Sequence, residues 1–381
     1  MQKELINKLI EFIQIDSYAF KRSGVEQAQN YVREYLKDIP ISWDLYQSTN
    51  NELAPILFGK SKEWDTNSQS VTLTGHLDIV YPDISNFKIK LTSDKLFGPG
   101  TADMKAGVLV ILEVVKELHK KNKFKNVNLL FTSEEEHFLT SQYPDFEEIA
   151  KNIKNLLVYE GEGSLDVAPK INEKLLVTKR KGILGYSIKA TGPGGHSGVL
   201  NKESMRHSAI HELIFQAQTI LKMSDYKKGT TINIGKFNGG QALNILAPEA
   251  EILFDTRLDS REEYSRMKSA IESILPQDKH VELEISNKVN GFPVEETVNN
   301  IKLFKLARQV GEEIGLEIDS VHKGGASDMN RLSSFNPEIS CIDYLGPSGG
   351  GEHTKDEFLY LDTFDSCVRL SVKLIEKILQ N

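Results

Sequence analysis

The sequence predicts an α/β protein in which a mostly parallel central sheet carries an inserted ferredoxin-like α+β domain. Three observations lead there. Strand-like and helix-like segments alternate through the first half of the chain. Residues 181–293 change to the order β-α-β-β-α-β, and the first pattern resumes after them. At 381 residues the chain is also too long for one ordinary core.

Residues 1–17 set charged and apolar residues at helical spacing without a continuous apolar stretch, the pattern of an amphipathic helix and not of a signal peptide. Short apolar runs at 71–77, 127–132 and 155–159 read as strands, and 103–121 as a long amphipathic helix. In such sheets, binding groups gather beyond the carboxyl ends of the strands. His76, Glu134, Glu135 and Glu160 fall there. The middle of the chain reads as strands at 182–191, 230–237, 250–258 and 280–286, with helices at 202–222 and 261–275. Turn residues at Gly291-Phe292-Pro293 suit a boundary. A helix at 299–313 and a strand at 338–343 return to the first pattern. The expected division is one domain in two pieces, 1–180 and 294–381, with 181–293 inserted.

Composition excludes several function classes. Net charge is −8 with both signs mixed along the chain, and Lys179-Arg180-Lys181 is too short a basic run for a nucleic-acid or anionic-membrane surface. No run approaches the length needed to cross a bilayer. Two cysteines, Cys341 and Cys367, are too few for a disulfide framework and have no zinc-binding spacing. A cytoplasmic protein is the expectation.

The chemistry-bearing residues follow in order. His76 and Asp78 lie two apart near a strand end, so an imidazole can bind a metal while the aspartate orients its ring. Taken alone, the pair also reads as a surface histidine beside a loop aspartate. Asp103 ends a tight Gly98-Pro99-Gly100 loop before a long helix, where it is either the helix cap or a carboxylate bridging two cations. Glu134-Glu135-Glu136 leaves a buried strand, and three adjacent carboxylates repel unless cations neutralise them. Glu160 ends another apolar run, and His353 follows Gly349-Gly350-Gly351, with Glu357 as its expected partner. Two histidines and three carboxylates suffice for a pair of divalent cations. Glu134 is then left to move protons. His196 sits in a glycine-rich turn whose spacing does not fit a phosphate loop.

In this order the motifs GHLDIVYP, LFGPGTADMKAG, FTSEEE, YEGEG, GGHSG, GTTINIGKFNGGQALNILAPEAEILFDTRLD, GGASDMN and DYLGPSGGGEHTKDE resemble a zinc metallopeptidase family. That family contains glutamate carboxypeptidases, acetylornithine deacetylases and succinyl-diaminopimelate desuccinylases. The resemblance covers nearly the whole chain and is closest to the glutamate carboxypeptidase-like branch. It implies a zinc-exopeptidase-like catalytic domain with a lid and dimerisation domain, and two Zn2+ per subunit, with Co2+ or Mn2+ as substitutes. It assigns one zinc to His76, Asp103 and Glu160, and the other to Asp103, Glu135 and His353. Asp78 orients His76, and Glu134 is the general base. A cis peptide after Asp103 is part of the pattern. His196 and Asn244 resemble residues that reach across a homodimer to the oxyanion, and Arg257 resembles the arginine that binds a substrate carboxylate.

Two departures stand out: Glu136-His137-Phe138-Leu139-Thr140 lacks the family's usual glycines, and Lys105-Ala106-Gly107 replaces Lys-Gly-Gly. The implied activity is hydrolysis of an amide beside a free carboxylate, in a small peptide or an N-acyl amino acid. An N-acyl amino acid deacylase is the alternative within enzymes. A metal-bearing binding protein without activity is the alternative outside them, and the intact Glu134 argues against it.

Overall fold

The computed structural model describes residues 1–66, 68–138, 140–163, 172–198 and 206–380. Two compact units divide the chain: Met1–Lys179 with Glu296–His322 and Ser327–Asn381, and Arg180–Glu295 with Lys323–Ala326. The small return to the second unit at Lys323–Ala326 is held there by Lys181, whose amide donates to the Lys323 carbonyl at 2.9 Å. Arg180 adds a guanidinium bond to the Gly325 carbonyl at 2.7 Å.

The first unit is built on a six-stranded sheet in the order Ile41–Tyr46, Ile56–Ser61, Val127–Thr132, Val71–His76, Asn155–Val158 and Ser340–Ile342. The last four run parallel, and the first two add an antiparallel edge that the sequence pattern did not reveal. Every residue of Val71–His76 and Val127–Thr132 is buried, as expected of parallel strands covered on both faces. Alternate side chains such as Leu73, Leu129, Phe131 and Leu157 join one large core with the helices Lys3–Ile13, Arg22–Tyr35, Ala106–Lys120, Val298–Ile314 and Phe364–Ile378. The helix Asp328–Phe335 packs on Val71–His76 and Asn155–Val158 as well. Its N-terminus carries a capping box between Ser327 and Asn330.

The second unit has the strand order Thr231–Gly239, Glu249–Leu258, Gly182–Thr191, Glu282–Gly291, all antiparallel. The helices Ala209–Leu221 and Arg261–Glu272 connect the first to the second and the third to the fourth of these strands in chain order, the β-α-β-β-α-β arrangement. Burial alternates residue by residue along Glu249–Leu258. Ile252, Phe254 and Leu258 therefore meet Leu213, Ile220, Tyr264 and Met267 in one core. Among the described residues no helix is long and apolar enough to cross a membrane.

Candidate metal centre

The centre is assembled at the carboxyl ends of the parallel strands. His76 is the last residue of Val71–His76 and sits in register with Thr132, so the turn carrying Glu134, Glu135 and Glu136 leaves the sheet beside it. Glu160 follows the neighbouring strand Asn155–Val158, with the Tyr159 amide still bonded to the Thr74 carbonyl at 3.1 Å. Gly107, at the start of the helix Ala106–Lys120, lets that helix touch this strand: a Cβ there would lie 1.9 Å from the Tyr159 carbonyl oxygen. Asp103 is not the cap of the helix. It lies in an irregular turn, Thr101–Lys105, and its peptide bond to Met104 is cis. His353 comes from the loop beyond Ser340–Ile342 and holds a positive φ of 60°.

Asp103 stands between the two histidines. His76 Nε2 is 2.9 Å from one of its carboxylate oxygens and His353 Nε2 is 3.3 Å from the other. Glu160 lies 3.8 Å from His76 Nε2, and Glu136 lies 3.1 Å from His353 Nε2. Two groups with converging ligand atoms result, His76 with Glu135 and Glu160, and His76 with Asp103 and Glu136. His76 Nδ1 donates to the Asp78 carbonyl at 3.0 Å, which leaves the Nε2 lone pair for a cation.

The donor set fits divalent cations. Four carboxylates converge on two imidazoles in a largely buried site. Burial, followed by the charge of Asp103, pushes Glu136 up to about 7. Burial also raises Glu135 well above the usual carboxylate range, with the charge of Glu160 adding to it. One buried oxygen of Glu136 has no hydrogen-bond partner. Such an oxygen costs free energy unless a cation or donor meets it.

Four expectations change here. Glu134 is not turned toward the cluster: it is fully buried and ion-paired to Arg331, which also holds Asp328 at 2.7 Å. The glutamate at His353 is Glu136, where Glu135 was expected. Asp78 orients His76 chiefly through its backbone carbonyl, its carboxylate being 3.5 Å from Nδ1. That carboxylate accepts the amides of Glu135 and Glu136, each at 3.1 Å, and so fastens the turn that carries them. Glu357 does not contact His353. It accepts the amides of Gly100, Ala102 and Asp103 at 2.9, 2.8 and 3.0 Å, with the Tyr81 hydroxyl at 2.9 Å.

The run of three glutamates concealed which one was which, because a run of identical residues carries no phase. Arg331, four residues beyond the SDMN motif's serine, carried no signal in the sequence. Phe138 holds a positive φ of 53°, a conformation that glycine adopts without steric cost.

The remaining candidates belong to the second unit. His196 is exposed and pairs with Ile245, and the Ser197 amide bonds to the Asn244 carbonyl at 2.9 Å, so His196 and Asn244 are neighbours. Arg257 lies near the far end of the strand Glu249–Leu258, its Nε on Asp255 at 3.0 Å. The structure does not bring it to His196 and Asn244.

The sequence profile of peptidase family M20/M25/M40 matches residues 72–377. Carboxypeptidase G2 of Pseudomonas sp. (strain RS-16) is 23% identical over 385 residues, covering 98% of this chain and 89% of the relative. An acetylornithine deacetylase of Buchnera aphidicola subsp. Acyrthosiphon pisum (strain 5A) is 23% identical over 387 residues, 96% of this chain and 95% of the relative. The crystal structure of aminopeptidase PepT from Bacillus cereus superposes with a TM-score of 0.76 at 20% identity, covering 99% of both chains. The chain belongs to peptidase family M20/M25/M40 and is an enzyme of the metallopeptidase and amidohydrolase class, with two groups of candidate metal ligands at its centre.

Proposed function

We propose that the protein hydrolyses an amide bond adjacent to a free carboxylate, in the manner of a glutamate carboxypeptidase, releasing the C-terminal residue of a small peptide or of an N-acyl amino acid. The observation that carries this reading is Asp103, whose two carboxylate oxygens face His76 and His353 separately. In this reading His76, Asp103 and Glu160 hold one zinc ion, and Asp103, Glu136 and His353 hold the other. The pair, when bound, supplies Lewis acidity to the scissile carbonyl and makes hydroxide available near neutral pH.

The chain's own groups do the rest. Glu135, close to His76 and Glu160, takes a proton from the attacking water and returns it to the departing amine. Asp78 keeps Glu135 and Glu136 in place from their backbone side. Arg257 binds the substrate carboxylate, and His196 with Asn244 steadies the developing oxyanion from a second subunit. Homodimerisation through this lid is supported by its exposed apolar residues Ile214, Phe215 and Leu221 on one helix and Phe237 on an edge strand. Residence in the cytoplasm belongs to the same reading, supported by two free cysteines that are buried and unlinked.

A carboxypeptidase and an amino-acid deacetylase, the two activities named for the relatives above, both leave an amino acid on the nitrogen side of the broken amide. An N-acyl amino acid deacylase is therefore the second reading, and both use one centre. Zinc-loaded protein assayed against dipeptides, acyl-glutamates and N-acetyl amino acids separates them. Turnover confined to substrates with a free amino terminus and a blocked carboxyl terminus overturns both.

A further inference from the structure

We propose that Arg331 is a positioning residue for the carboxylate pair Glu135 and Glu136, acting from both sides of that pair through Glu134 and Phe138. The inference rests on the reading of Glu135 as proton carrier and Glu136 as metal ligand.

The turn after the strand Val127–Thr132 is fastened residue by residue. Thr132 donates its hydroxyl to Asp328 at 2.6 Å. Ser133 donates to the Pro55 carbonyl at 2.7 Å and receives Gln29 at 3.3 Å. Glu134 is ion-paired to Arg331. The amides of Glu135 and Glu136 are then taken by Asp78. The side chains of Glu135 and Glu136 face the cluster of candidate ligands.

Arg331 spans that arrangement. One guanidinium nitrogen bonds Asp328 at 2.7 Å, a second bonds Glu134, and the group lies 4.9 Å from the ring centre of Phe146 and 5.9 Å from that of Phe138. It thus grips the residue before the pair and the residue two beyond it. Phe138 has the left-handed backbone that ends the turn. Arg331, Glu134 and Asp328 are each at most 2% exposed. Charges this deeply buried hold position only while paired, and removing one partner strands the others. A lysine can supply the charge but not two nitrogens in a planar fork with stacking faces. Arg331 thus holds the turn from behind, through Glu134 and the ring of Phe138.

Arg331→Lys and Phe138→Ala test this in the full-length protein, the second without stranding a buried charge. Zinc binding is followed by calorimetry, alongside thermal unfolding and kcat and KM for the best amide substrate of the panel. The expected result is a folded protein in both variants, with the affinity for one of two zinc ions lowered about 10- to 100-fold, the range for residues that orient ligands from behind. A fall in kcat at little-changed KM accompanies it. Two zinc ions bound with wild-type affinity in Phe138→Ala, or in a folded Arg331→Lys, overturn the proposal. Failure of the wild-type protein to bind zinc or to cleave any amide overturns the functional reading instead.

Discussion

The carboxylate of Glu357 receives the backbone amide of Asp103 at 3.0 Å and so fixes, from its backbone, the aspartate that stands between His76 and His353. Together with the amides of Gly100 and Ala102 this forms a small anion-binding nest, opened by Gly100 at φ 70°. Glu357→Gln puts an amide NH2 where only acceptors fit. Its expected effect is a 10- to 100-fold loss of zinc affinity in a folded protein. Titration of the apo-protein with zinc reads this directly, and an unchanged isotherm would show that the nest does not govern Asp103.

Replacement of the three consecutive glutamates by glutamine, one at a time, separates their roles. Glu135→Gln should bind two zinc ions and lose about 10²- to 10⁴-fold in kcat, the span general acid–base catalysis supplies. Glu136→Gln should bind one zinc ion less. Glu134→Gln should act first on stability, because it leaves Arg331 with a weakened partner in a buried site. Metal content, kcat and thermal unfolding of the three variants decide the matter. Full activity in Glu135→Gln would return the base to another residue.

At Gly107 the helix lies against the chain that delivers Glu160. Gly107→Ala forces a methyl group against the Tyr159 carbonyl, separating the elements that carry Asp103 and Glu160. The expected cost is about 1–3 kcal/mol of stability, typical of overpacking. Weaker zinc binding follows from the same displacement. Denaturant unfolding checks the first, and a wild-type midpoint would contradict the close approach.

In the second unit, Glu263 offers a pH test away from the metal centre. Arg266 is the main cause that holds its carboxyl down to about 2 from a usual 4.5, with Thr230 and Lys228 assisting. A carboxylate with a depressed folded pKa contributes stability above its unfolded value and loses that contribution as pH falls through the folded one. Glu263→Gln should therefore lower Tm at pH 7, and its deficit relative to wild type should shrink as pH is lowered below about 4.5. A deficit that stays constant from pH 7 to pH 3 would remove the ion pair as its cause.

Much of the centre could be read from the chain because its members stand at strand ends. Periodicity marks where an apolar run stops, and His76 and Glu160 are placed at such stops by hydrogen bonding of the backbone alone. Strand pairing similarly brings His196 beside Asn244. The antiparallel edge strands Ile41–Tyr46 and Ile56–Ser61 escaped notice because their polar residues blur the alternation. The expected partner of His353 was wrong for another reason. Glu357 is close to it in sequence, yet its carboxylate is claimed by backbone amides of a loop far away along the chain.

The sequence by itself determined the α/β class, the family, and the inventory of histidines and carboxylates that a pair of cations requires. It did so because residue type and spacing carry that information locally. Only the tertiary structure decided which way each of the three glutamates points. Direction in a turn is set by long-range partners: Arg331, itself held by Asp328, draws Glu134 inward, and Asp78 holds the next two amides so that Glu135 and Glu136 face the centre. None of those partners is adjacent to the run in the chain, so no reading of the run could have supplied its phase.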